Sequence, residues 1–88
     1  MHETETSRLI ANTVSAMAKL RDSRAALLEQ ARSLSARIEL LGATEPRTRE
    51  LELSGARLWG ERKNLVFKAA EITMQLDGLK RLCEILSK

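Results

Sequence analysis

The sequence predicts an all-α fold, a long antiparallel helical hairpin that pairs with a second copy into a four-helix bundle. Three observations predict it. Leucine and alanine dominate while Phe, Trp and Pro occur once each and Tyr is absent, a composition that favours helix over strand. A single cluster of helix breakers stands inside the chain, Gly42-Ala43-Thr44-Glu45-Pro46. On both sides of it apolar residues recur at spacings of three and four, the period of one helical face.

The first helix is expected over about residues 5 to 41. Its stripe is Ile10, Val14, Met17, Leu20, Leu27, Leu28, Ala31, Leu34, Ile38 and Leu41. The loop is expected at 42–44, with Gly42 stopping the first helix, Thr44 capping the second and Pro46 tolerated in its first turn. The second helix, about 45 to 87, carries a strict heptad seam: Leu51, Gly55, Leu58, Arg62, Leu65, Ala69, Ile72, Leu76, Leu79, Cys83 and Leu86. At 1.5 Å of rise per residue each rod spans roughly 55–65 Å. A connection this short folds them back antiparallel, so residues 1–88 make one domain.

A chain of 88 residues buries only a modest fraction of its surface alone. The second helix also holds apolar residues that its seam does not use: Leu53, Trp59, Val66, Phe67, Ala70 and Met74. A twofold homodimer is the cheapest cover for them. Trp59 is its expected anchor. Leu53, Val66, Phe67, Met74 and Gly55 are the other expected contact residues, and Ser54-Gly55-Ala56 is read as a place where helices approach closely or bend. Met17, Met74 and the run Leu65-Val66-Phe67 suit either an adaptable client groove or plain core. Arg24 and Arg62 interrupt the two stripes. Closure at 42–44 sets Glu29 near Arg62, so that this pair either fixes register or leaves its arginine extended along its own stem to solvent. Cys83 falls on the seam and reads as a small buried hydrophobe.

Composition removes several functions. No catalytic residue can be assigned, because the one imidazole, His2, sits at a terminus and no carboxylates share a helix face at the spacing acid–base chemistry needs. The chain is not expected to be an enzyme. One cysteine makes neither an internal disulfide nor a cysteine zinc site, and no glycine-rich phosphate loop is present, so no metal or cofactor is expected. Fifteen Lys and Arg against twelve Asp and Glu leave a net charge of +3, mixed along the helices as on a solvated face. Nucleic-acid binding lacks clustered lysines and stacking aromatics. The longest apolar run, Ala25 to Leu28, is far short of a membrane span, and the charged start precedes no secretory segment. A soluble, cytoplasmic protein is expected.

The stretch Glu50-Leu51-Glu52-Leu53-Ser54-Gly55-Ala56-Arg57-Leu58-Trp59-Gly60, followed by Leu65, Phe67, Ala69 and Ile72, resembles part of an N-terminal coiled-coil region in the BAG family of molecular chaperone regulators. The matching positions are Glu50, Leu51, Leu53, Ser54, Arg57, Leu58 and Gly60, and the opening Ser7-Arg8-Leu9 is similar too. The resemblance implies a dimeric cochaperone of the seventy-kilodalton heat-shock chaperone, which assists nucleotide exchange and restrains ubiquitination of clients. In that family the chaperone-contacting domain follows the coiled coil. The part matched here would therefore be the dimerising, client-binding module, and no exchange residue is assigned to any position. The competing expectation is a structural coiled-coil subunit of a larger hetero-oligomeric trafficking or secretion complex, with the same apolar surface paired to a different chain.

Overall fold

The structure, a computed structural model, describes residues 2–88, with the backbone alone for His2 and Glu3. The His2 side chain therefore lies outside the described residues. The fold is a two-helix hairpin. Helix α1 runs over His2–Ala43 and helix α2 over Arg49–Leu86, and the two pack along one another in a rod of 70 × 14 × 14 Å.

The connector is longer and later than the breaker cluster suggests. Gly42 lies inside α1, with no glycine at positive φ, so the helix does not end on a left-handed glycine. Thr44 finishes α1 rather than starting α2. Its N–H donates to Leu41 O at 3.3 Å and its hydroxyl to Leu40 O at 2.8 Å, which satisfies the last carbonyls of the helix. Arg47 returns from the loop and donates Nη2 to Gly42 O at 3.3 Å, a cation placed at the negative end of α1. The cap of α2 is Thr48. Its backbone is extended (φ −103°, ψ 161°) and its Oγ1 accepts from the Leu51 N–H at 3.2 Å. Glu50 and Glu52 then complement the positive start of that helix. Pro46 consequently lies in the connector, outside the first turn of α2.

One seam holds the rod together. On α2 every residue of the expected seam, Leu51 to Leu86, is buried or half-buried, with Leu58, Ala69 and Leu76 the deepest. Cys83 is a free, half-buried seam residue, as the heptad requires. On α1 the same alternation of four and three runs through Thr6, Ile10, Thr13, Met17, Leu20, Arg24, Leu27, Ala31, Leu34, Ile38 and Leu41, all buried or half-buried. Val14 and Leu28 are not in it. They lie one residue past the seam positions held by Thr13 and Leu27 and are 52% and 43% exposed. The seam carries hydroxyl and guanidinium groups where the apolar stripe would put methyls.

The glycines of α2 do not mark close packing. A methyl built on Gly55, Gly60 or Gly78 would meet nothing within 4 Å, so the expected tight approach at Ser54-Gly55-Ala56 is absent from the hairpin. Alanine at an open helical position restricts the unfolded chain and improves helix propensity. Gly60→Ala is expected to stabilise the protein by about 1 kcal/mol, raising the thermal midpoint followed by circular dichroism. A lower midpoint would mean that another surface packs on that glycine.

Candidate interaction surface

Two arginines cross the seam, and they do so in the same way. Arg24 of α1 donates Nη1 to Thr73 Oγ1 of α2 at 3.2 Å, and Thr73 donates onward to Ala69 O at 3.1 Å. Arg62 of α2 donates Nε to Ser35 Oγ of α1 at 2.7 Å, and Ser35 donates onward to Ala31 O at 3.1 Å. Ala31 and Ala69 are 5% and 3% exposed, the small side chains at which the helices come together. One offset along the chain carries Arg24 to Arg62, Ala31 to Ala69 and Ser35 to Thr73. It also carries Leu27 to Leu65, Leu34 to Ile72, Ile38 to Leu76 and Leu41 to Leu79. The hairpin thus has a local twofold resemblance to itself, written as an internal repeat. Charge-assisted hydrogen bonds contribute about 1.5–3 kcal/mol when desolvated and less at half-buried sites such as these.

The expected Glu29–Arg62 pair does not form. Glu29 lies outside the seam, between Leu27 and Ala31, and meets Arg32 at 3.4 Å in an exposed ion pair one turn away on its own helix. Helical side chains lean toward the N-terminus of their own helix, which for Arg62 is toward the loop and therefore toward Ser35. A surface pair as open as Glu29–Arg32 adds little to stability. The register device is the arginine–hydroxyl pair, used twice. Pairwise charge reading could not find it, whereas comparison of residues 24–41 with 62–79 does.

The seam divides the outside of the hairpin into two flanks. In an antiparallel pair, residues that follow a seam position in either helix fall on one side and residues that precede it fall on the other. The preceding side is polar over its middle: Gln30, Ser33, Glu61, Asn64 and Lys68 border a shallow groove floored by Leu34 and Leu65. Toward its ends that side exposes Leu9, Leu40, Leu82 and Ile85. The following side holds its large apolar residues nearer the middle, among the charges Arg21, Arg32, Glu39, Glu52 and Lys63. It presents Val14 and Leu28 from α1 and Trp59 and Val66 from α2, exposed by 52%, 43%, 55% and 40%. Ala11, Ala18, Ala25, Ala56 and Ala70 lie on the same side and keep it smooth. Leu53, Phe67 and Met74, all more than half exposed, extend it round the back of α2. Of the expected contact residues, Trp59 and Val66 are exposed on this side and Leu53, Phe67 and Met74 on the back of α2. Gly55 joins neither as a surface group: it is half-buried on the seam beneath Trp59, in a hollow also lined by Ile38, Leu41, Leu51 and Ala56.

Two cations lie over the aromatic rings of these surfaces. The Arg62 guanidinium carbon is 5.3 Å from the centroid of the Trp59 ring, and the Lys63 ammonium is 5.7 Å from that of Phe67. Such contacts contribute about 0.5–1 kcal/mol each at exposed sites. Arg62 therefore joins the seam to the surface, binding Ser35 through Nε while its guanidinium lies over Trp59. Among the described residues, no cluster of three or more His, Cys, Asp or Glu could hold a metal ion, and no helix is long and apolar enough to cross a membrane. Compared with protein-family models, with curated proteins and with solved structures, the chain matches none of them.

Proposed function

We propose that the chain is a non-catalytic protein-interaction module whose working surface is the Trp59 flank of the hairpin. One observation carries this reading. The flank and the back of α2 expose Val14, Leu28, Leu53, Trp59, Val66, Phe67 and Met74 together, whereas the opposite flank is polar over its middle. Scattered apolar residues are ordinary on a protein surface, but a sector of large ones set among charges is a place where another protein docks. Trp59, large and stiff, is the residue type that most often dominates such contacts. The assignment to chaperone regulation, in a cytoplasmic setting, rests on the resemblance of Glu50–Gly60 to the BAG family segment. That segment supplies Leu53 and Trp59 to the sector.

The test is binding. The purified chain, titrated with a permanently unfolded, reduced and alkylated protein and separately with a seventy-kilodalton heat-shock chaperone, is expected to change the fluorescence of Trp59, its one tryptophan. Phe67→Ser with Met74→Ser should weaken that binding about tenfold or more. Binding that ignores these substitutions would remove the sector from the function. Absence of binding to both partners would end the chaperone-regulator assignment.

A further inference from the structure

We infer that the occupant of the Trp59 flank is a second copy of this chain, laid flank to flank so that two hairpins close a four-helix bundle. The inference rests on the interaction-module reading and names its partner. The argument begins with area. A compact monomer of 9.9 kDa exposes about 5,200 Å², whereas this hairpin exposes 7155 Å². One side of a rod 70 Å long and 14 Å wide offers roughly 1,000 Å², and two such sides pressed together remove about 2,000 Å², where obligate homodimers begin. The deficit of the single hairpin and the capacity of one flank are therefore of the same order.

The flank also suits its own copy. Between Val14 and Val66 its residues immediately beside the seam include charges of both signs, Arg21, Arg32, Glu39, Glu52 and Lys63, of which Arg32 meets Glu29 and Lys63 lies over Phe67, while Arg24 and Arg62 already donate across the hairpin. Both helices contribute to the surface, since Val14 and Leu28 stand on α1 and Trp59 and Val66 on α2. A twofold axis can therefore set this surface against itself, as an isologous interface requires. Small residues such as Ala18, Ala25, Ala56 and Ala70 leave room for the larger side chains of the facing copy. Four helices then share a core in which seam and flank are both covered.

The experiment is light scattering across a tenfold dilution, with circular dichroism and Trp59 emission recorded on the same samples. A helical species of twice the chain mass, with blue-shifted emission that moves red only as the mass falls, is the expected result. Trp59→Glu with Val66→Glu should raise the dissociation constant by about a hundredfold or more, while Gln30→Glu with Gln75→Glu on the opposite flank should leave it unchanged. A helical monomer over the whole range would overturn the second copy as occupant and leave the module reading to the client titration. A dimer insensitive to the flank substitutions, or with Trp59 emission typical of water, would overturn the face. An aggregate of low helicity would overturn self-pairing in favour of a different chain, the structural-subunit alternative.

Discussion

Leu76→Asp is expected to unfold the hairpin. Leu76 is 6% exposed on the seam of α2, in a molecule whose buried apolar residues, among those described, are Met17, Ala31, Leu58, Ala69 and itself. A carboxylate there loses the packing of a leucine, about 2–5 kcal/mol for truncation of a buried one. It must also be kept from water or drag water into the seam, at several kcal/mol more. A small domain commonly has only 5–15 kcal/mol in total, and one built on a single seam lies at the lower end. Far-ultraviolet circular dichroism at 25 °C should show most of the helical signal lost. A variant that kept full helicity and melted within a few degrees of the parent would show that the seam through Leu76 does not hold the fold.

Ala69→Phe should produce the second large effect, by overpacking. Ala69 is 3% exposed, and its carbonyl accepts the Thr73 hydroxyl that in turn receives Arg24. A ring at this deeply buried position forces the helices apart. Overpacking costs about 1–3 kcal/mol, and loss of the neighbouring Arg24–Thr73 bond adds to it. Ala31→Phe is the informative partner. Ala31 stands to Ser35 and Arg62 as Ala69 stands to Thr73 and Arg24, so the two substitutions should lower stability by similar amounts in urea denaturation. A large disparity would mean that the repeated sequence is not used equivalently by the two helices.

The part of the fold most legible in the sequence was the seam of α2, because Leu51 through Leu86 keep the alternation of four and three without a slip. On α1 the same alternation was obscured. Thr13 occupies a seam position, and reading by apolarity alone set Val14 in its place and added Leu28 beside Leu27, while Arg24 showed only as an interruption of the stripe. A threonine can lie in a seam because its methyl packs inward, and an arginine because its stem is apolar and its head finds a hydroxyl across the interface. The loop misled for a related reason. Gly42 and Thr44 carry the letters of a stop and a cap, yet Gly42 keeps helical backbone and the Thr44 hydroxyl turns back to Leu40. Thr48, two residues past the proline, does the capping. The candidate surface was legible as surplus: Trp59, Val66, Phe67 and Met74 are the residues that the heptad left over. Val14 and Leu28 were missed because they were counted as core.

The arginine–hydroxyl pairs have a consequence for chain order. Because Arg24, Ala31 and Ser35 repeat as Arg62, Ala69 and Thr73, each helix both offers and receives the same contact over this stretch, and these contacts do not depend on which helix comes first. The connector at 44–48 joins the pair at one end, but its bonds reach only Leu40 to Gly42 and the first turn of α2. A permuted protein that begins at Arg49, runs through α2, crosses a flexible linker to α1 and stops at Ala43 would keep every hydrogen bond of the seam.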